Sequence, residues 1–197
     1  MYDFQVETEC ASRVLPMLQD SIYYLRELFP HERARFASEV LVSIPILYDE
    51  IDESFVDHIL DSHTRGSDPT GYFTIRKKVW ALAHEERSEM LAFTVASEKR
   101  GGSVRFGPTV VLPEYQGLGL YTVLTRLREQ LYSSRGFRKW YCTCPENCTK
   151  IRLTLSKQGY MTEAILREQF RVGTNELVIG KLTTRTEPLS LFSTGRL

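Results

Sequence analysis

The chain has 197 residues, of which 42% are hydrophobic and 25% are charged, a composition typical of one globular domain with a sizeable core. Its 25 basic and 25 acidic residues give zero formal net charge, which offers no support for a broad surface that binds nucleic acid or membrane. No apolar run reaches the roughly 18 residues of a membrane span, and the N-terminus lacks the features of a secretory signal, so we expect a cytoplasmic protein.

The first part of the chain, residues 1–71, has the periodicity of helices. Apolar residues between positions 14 and 29 recur at three- and four-residue steps, which predicts a first helix that Pro30 ends. A second helix is expected to begin near residues 31–35, and the apolar spacing over residues 51–59 indicates a third.

The periodicity changes after the loop-like segment 63–71. The stretches "YFTIRKKVWALAHEE", "MLAFTVASE" and "VRFGPTVVL" are rich in β-branched and aromatic residues, and short turn-like pieces separate them, which predicts an antiparallel meander. A helix, a strand, a short helix and two more strands follow. The order predicts an α/β (α+β) fold, a mixed and mostly antiparallel sheet flanked by helices. We expect a single domain over residues 1–185, with its core sheet in 72–182 and a tail in 186–197.

Between the third of these strands and the next helix lies a glycine-containing loop, "VLPEYQGLGLY", residues 111–121. Backbone N–H groups in the first turn of a helix have no intrahelical partner, and with the helix dipole they bind phosphate. Gly117 and Gly119 allow the backbone to approach an anion closely, and Gln116 adds a side-chain donor. The loop therefore predicts a diphosphate site, although it lacks the Lys-Ser/Thr pair of a P-loop and the GxGxxG of a dinucleotide fold.

The stretch from Val111 to Gly119 resembles motif A of the GCN5-related N-acetyltransferases (GNAT family), V-x-P-x-x-Q/R-x-x-G-x-G/A. The order of elements over roughly residues 72–182 agrees with that family, and "KQGYM" resembles its second landmark. The resemblance implies the GNAT fold and transfer of an acetyl or other acyl group from acyl-CoA to an amine, without a metal. It also implies that the helical segment 1–71 forms the acceptor side of the cleft. The residues that it implies for CoA binding are Val111, Leu112, Gln116, Gly117, Leu118, Gly119, Leu120, Tyr121, Thr122 and Asn147.

Two departures from the family pattern concern the chemistry of the site. Tyr121 stands where the motif has Gly or Ala, and the position of the family's frequent general acid, a Tyr, falls on Thr154 or Leu155. The strand over residues 103–112 also has no carboxylate to serve as a local base. Neither loss forbids catalysis, since water can protonate a thiolate and an amine can arrive neutral. The catalytic residues thus stay unassigned, with the candidates His84, Glu85 and Tyr121.

The stretch "CTCPENC" places three cysteines within seven residues. Zinc sites commonly combine paired Cys motifs with further Cys or His ligands, and here the spacing is CxC followed by CxxxC with no nearby His. We therefore predict structural cysteines and no metal site. A transient acyl-cysteine near the thioester is the alternative.

The sequence leaves the partners of the reaction open. We expect a small-molecule amine as acceptor, because no charged track for a protein tail is apparent, and a homodimer is plausible by analogy with the fold. Two alternatives remain: an acyl carrier protein or another thioester as the donor, which Tyr121 favours, and a non-catalytic CoA-binding or interaction module. The missing acid and base favour the module.

Overall fold

The computed structural model of the protein describes residues 22–44, 51–67, 73–86 and 88–183. A seven-stranded sheet runs through this part of the chain. The strands are β1 (Tyr23–Glu27), β2 (Thr74–His84), β3 (Met90–Lys99), β4 (Ser103–Val111), β5 (Lys139–Pro145), β6 (Met161–Arg171) and β7 (Thr174–Leu182). The helices are α1 (Arg33–Ser43), α2 (Glu53–Arg65), α3 (Leu120–Ser134) and α4 (Thr149–Ser156).

The strand order is β1-β2-β3-β4-β5-β7-β6. Neighbouring strands are antiparallel except for β4 and β5, which are parallel. The expected mixed, mostly antiparallel sheet flanked by helices is therefore confirmed. Within the described residues, no helix has both the length and the apolar character to cross a membrane.

The predicted first helix is wrong where the structure describes it. Residues Tyr23–Glu27 form the edge strand β1, which pairs with β2 from Tyr23 opposite His84 to Glu27 opposite Trp80. Two adjacent tyrosines favour a strand, and pairing with β2 provides hydrogen-bond partners for the backbone of these residues. Apolar spacing within the segment does not reveal this pairing. The core sheet thus begins inside segment 1–71, which we had interpreted as helical, while positions 14–21 lie outside the described residues.

Helices α1 and α2, which correspond to the predicted second and third helices, cover one face of the sheet. Phe36 and Val40 of α1 and Val56 and Ile59 of α2 are buried against residues of β2, β3 and β4. Asp52 caps the start of α2 by accepting a hydrogen bond from the Phe55 N–H at 3.0 Å. This layer forms one wall of the cavity described below.

Helices α3 and α4 cover the opposite face. A stripe of leucines on α3 is buried against the sheet, namely Leu120, Leu124, Leu127 and Leu131. Gly136 follows the last turn of this helix with a φ of +81°. Because α3 begins directly after the glycine loop, packing of its leucine stripe fixes that loop against the ends of the strands.

The sheet opens between its two parallel strands. Only residues Ser103–Arg105 of β4 pair with β5, where they lie opposite Lys139–Tyr141. The two strands separate after this short paired segment. On its other side, β4 has a bulge at Gly107–Pro108, where two residues stand opposite Val95 of β3. The result is a gap in the middle of the sheet, closed at the paired end and open toward the glycine loop.

Candidate functional site

The glycine loop has the backbone conformation that its sequence predicted. Gly117 and Gly119 have φ values of +84° and +76°, in the region that favours glycine. A Cβ added at either position would meet no atom within 4 Å, so no neighbouring group excludes a side chain from these positions. Glycine is thus required here by backbone conformation and not by packing within the protein.

The backbone N–H groups of this loop are available to a ligand. The first hydrogen bonds of α3 run from the N–H groups of Thr122 and Val123 to the Gly119 carbonyl, at 2.9 and 3.4 Å. Within the described residues, no backbone hydrogen bond uses the N–H groups of residues 117–121. These donors lie at the positive end of the helix dipole and can hold a diphosphate. Their assignment to CoA, together with that of Leu118 and Leu120, stays a prediction.

The end of β4 presents peptide groups to the gap. The Leu112 N–H donates to the carbonyl of Leu91 in β3 at 3.0 Å, and the Leu112 carbonyl accepts from the Tyr115 N–H at 2.9 Å. Alternation along a strand then turns the N–H and carbonyl of Val111 away from β3, toward the gap. The Gln116 side chain donates to the Val111 carbonyl at 3.2 Å. Of the two residues implied for pantetheine, Val111 therefore has the free N–H.

A cavity of about 340 Å³ lies where β4 and β5 separate. Its wall combines residues from both faces of the sheet, which means that it reaches through the gap. They include Phe55 and Ile59 of α2, Gly107 and Thr109 of β4, Thr143 of β5 and Tyr121 of α3. Its volume lies at the small end of the range for small-molecule sites, about 300–1,000 Å³.

Tyr121, the departure from the motif, lines this gap together with residues of β4 and β5. Burial raises the pKa of its phenol to about 12, although the nearby Arg128 guanidinium acts in the opposite direction. The phenol is therefore neutral near pH 7 and can donate a hydrogen bond. A ring thus stands where the family motif keeps a small residue.

Arg128 lies behind Tyr121 and is fully buried, with 0% exposure. Its Nη1 donates to the hydroxyls of Thr94 and Thr109 at 3.3 and 3.1 Å, and its guanidinium carbon lies 4.3 Å from the centre of the Phe106 ring. Its Nε and Nη2 have no hydrogen-bond partner within the described residues. Sequence reasoning missed this residue, although an arginine four positions after Leu124 on the apolar stripe of α3 was a usable signal.

The other catalytic candidates lie away from the cavity lining. His84 packs edge-on against Tyr23, with ring centres 5.5 Å apart, and its Nδ1 accepts from the Glu86 N–H at 3.2 Å. Glu85 is exposed at the end of β2. Neither residue lines the cavity, and no described aspartate or glutamate does. Asn147 is exposed in the turn before α4.

The two positions that align with the family's general acid offer no substitute for it. Leu155 is fully buried, with 0% exposure, and the Thr154 hydroxyl donates to the Lys150 carbonyl within α4 at 2.9 Å. A general acid at this place in the fold is thus missing, as the sequence indicated.

The cysteines of β5 share one face and are buried. Cys142 and Cys144 both line the cavity. Burial raises the pKa of Cys142, and it raises that of Cys144 to about 12. Both are therefore neutral thiols near pH 7 and poor nucleophiles, which disfavours the acyl-cysteine alternative. The described part of the chain contains no group of side chains arranged to hold a metal ion.

No protein-family model and no curated protein sequence matches this chain, whereas solved structures match most of it. The spermidine N-acetyltransferase from Vibrio cholerae, in complex with CoA and spermine, has a TM-score of 0.67 at 14% identity and covers 83% of this chain and 96% of its own. A Desulfovibrio desulfuricans protein assigned to the GNAT family of acetyltransferases has a TM-score of 0.66 at 15% identity, with coverages of 82% and 99%.

A third similar structure is an Escherichia coli N-acetyltransferase that acts on an alanine of a ribosomal protein. Its TM-score is 0.61 at 13% identity, and the match covers 86% of this chain and 99% of that one. These likenesses agree with the separated parallel strands, the glycine loop and the order of elements described above. The fold that the motif implied is thus confirmed: this chain has the fold of the GNAT-family N-acetyltransferases.

Proposed function

We propose that this protein is an acyl-CoA-dependent N-acyltransferase that transfers an acetyl or other acyl group to the amine of a small molecule. The observation that carries the proposal is the gap between β4 and β5, which meets the unused N–H groups of residues 117–121 at its open end. In this account residues 1–185 form one acyltransferase domain, which acts in the cytoplasm. The likeness to acetyltransferases supports the reaction class and leaves the acceptor to experiment.

The residues have the following roles in this proposal. The loop donors bind the diphosphate of CoA, and the Val111 peptide group, exposed in the gap, hydrogen-bonds the pantetheine arm. Much of the rate comes from holding amine and thioester together in the cavity. The Thr109 N–H, turned toward the gap by the same alternation as that of Val111, is the candidate donor to the oxyanion.

The chemical step needs little from ionisable side chains. The lone pair of a neutral amine attacks the thioester carbonyl carbon, a C–N bond forms, and the C–S bond breaks to release CoA thiolate. The neutral phenol of Tyr121 can donate a hydrogen bond to the thiolate, which takes its proton from water. The amine loses its proton to water, because no described carboxylate lines the cavity.

A second candidate function follows from the Tyr121 ring in the gap. If this residue weakens the diphosphate site, the same fold accepts acyl groups from a carrier protein, which needs no tight diphosphate cradle, or serves as a non-catalytic binding module. Tyr121 is the specific observation that favours the carrier-bound donor, because the motif keeps this position small. The missing general acid and base favour the binding module.

The test is release of free thiol from acetyl-CoA and butyryl-CoA in the presence of a panel of small amines and a peptide with a free N-terminus. Two variants form a matched pair, since Gly119 and Gly173 both have a φ of +76° with open space at Cβ, and only Gly119 lies in the loop. We expect amine-dependent thiol release from wild type and Gly173→Val and none from Gly119→Val. CoA binding without turnover on any amine would favour the binding module.

A further inference from the structure

The closed end of the gap carries a positively charged side chain on the cavity wall. Arg105 of β4 stands opposite Tyr141 in the last paired position before the strands separate. Its Nη2 donates to the Thr143 hydroxyl of β5 at 3.1 Å, and both side chains line the cavity. Thr143 therefore holds the guanidinium at the narrow end of the gap, where a ligand that enters from the open end would reach it.

The charge of Arg105 is not neutralised within the described part of the protein. Its only hydrogen bond there is to Thr143, a neutral hydroxyl, and no described Asp or Glu lines the cavity. Lys77 of β2 adds a second basic side chain to the same wall. A guanidinium with further N–H donors available suits a carboxylate, which it can bind through two parallel hydrogen bonds.

The remainder of the wall is mostly apolar. Side chains from helices on both faces of the sheet and from β6 contribute to it, namely Ile44, Phe55, Ile59, Ile151 and Phe170. A cavity of about 340 Å³ with apolar sides and a basic end fits a small ligand with an apolar body and an anionic end. A polyamine carries the opposite charge and would be repelled by Arg105.

We propose that this cavity selects a substrate group with an apolar body and a carboxylate, and that Arg105 is the residue that recognises the carboxylate. The inference rests on the proposed acyltransferase function and specifies its substrate class. The carboxylate can belong to the acceptor, as in an amino acid with an apolar side chain, or to the acyl group, as in a dicarboxylic acyl-CoA. These two sources share one chemistry, and separate arms of one experiment distinguish them.

The acceptor arm uses acetyl-CoA with phenylalanine, phenylalaninamide and spermidine. The donor arm uses phenylalaninamide with succinyl-CoA and butyryl-CoA. We expect kcat/KM to be at least about tenfold higher for the carboxylate-bearing member of one arm, as one charged hydrogen-bonded contact can provide. Arg105→Gln should abolish that preference, Arg105→Lys should retain part of it, and the control Arg126→Gln, an exposed position of α3, should leave it unchanged.

The outcomes separate this inference from the function on which it rests. Turnover at equal kcat/KM for charged and neutral members of both arms would overturn the inference and leave the acyltransferase standing. No turnover with any pair would overturn the proposed function, and thermal unfolding with 3-phenylpropanoate then tests the inference by binding alone. Stabilisation of wild type and of Arg126→Gln, but not of Arg105→Gln, supports it, whereas no stabilisation of wild type overturns it.

Discussion

Arg128 is a buried charge without a carboxylate partner in the described part of the chain, and it lies directly behind the gap in the sheet. Taking a guanidinium out of water costs several kcal/mol, and the two threonine hydroxyls with the rings of Phe106 and Tyr121 offset only part of that cost. The Thr94 and Thr109 hydroxyls also bond each other, with their oxygens 2.8 Å apart, so they keep a partner if the guanidinium is removed. The fold therefore retains Arg128 at some expense of stability.

We predict that Arg128→Met raises the free energy of unfolding by about 1–4 kcal/mol, because methionine fills much of the space without a desolvated charge. Urea unfolding measures this change. The control is Arg126→Met, an exposed position two residues away on α3, which should change stability by less than about 0.5 kcal/mol. A marked loss of stability in Arg128→Met would show that the contacts with Phe106 and the threonines outweigh the desolvation.

Tyr121 places a ring on the cavity wall at the motif position that is kept small for close approach to the phosphate. We predict that Tyr121→Ala, which restores a small residue, tightens acetyl-CoA binding by about tenfold. Tyr121→Phe keeps the ring and should leave the affinity unchanged. Titration calorimetry measures both variants, and equal or weaker binding by Tyr121→Ala would mean that the ring contributes to the CoA site and does not restrict it.

Strand β1 is joined to the start of α1 by a charged contact. The two Nη atoms of Arg26 donate to the two Glu32 carboxylate oxygens, each at 2.6 Å, and the Phe29 N–H donates to the same carboxylate at 3.1 Å. Burial opposes the charge of Glu32, but these hydrogen bonds outweigh it and lower its pKa. The contact thus fixes the turn that leads from the edge of the sheet into the helical wall of the cavity.

We predict that Glu32→Gln lowers the free energy of unfolding by about 2 kcal/mol, because Arg26 loses a charged acceptor in a partly buried setting. Since the pKa of Glu32 is lowered in the folded state, the wild type should lose this contribution as the pH falls below about 4.5. Urea unfolding at neutral and acidic pH measures both effects. Glu86→Gln, at an exposed turn position, is the control, and an equal loss there would contradict the account.

The sequence predicted some elements and not others for physical reasons. Helix α2 could be predicted because its apolar spacing directly records the face that it buries. Strand β1 could not, because it is defined by pairing Tyr23 with His84, far along the chain. The glycine loop could be predicted because its conformation depends on its own residues. The position of Arg105 on the cavity wall could not, because it depends on where β4 and β5 separate in the folded sheet.

The molecule buries several weak acids in neutral form. Burial raises the pKa of Tyr121 and of Cys144 to about 12, and it raises the pKa values of Tyr132 and Tyr160 further. The unfolded chain releases these protons from about pH 9, while the folded protein still holds them. The unfolded state then binds fewer protons than the folded state, so stability falls as pH rises.

We predict that the free energy of unfolding decreases between about pH 9 and pH 11 and is fully retained below that interval. Urea unfolding at a series of pH values measures the slope. Cys144→Ala removes one of the buried acids and should make the decline less steep than in the wild type. An unchanged free energy of unfolding up to about pH 11 would show that these groups ionise in the folded protein as they do in the unfolded chain.

The central claim concerns the whole molecule: the gap in the sheet and the glycine loop together form one site for acyl-CoA. Titration calorimetry of acetyl-CoA into wild type, Gly119→Val and Gly173→Val tests it most directly, because both glycines have the same φ and open space at Cβ. We predict equal binding by wild type and Gly173→Val and at least about a tenfold loss in Gly119→Val. Unchanged binding by Gly119→Val, or no binding by the wild type, would contradict the account.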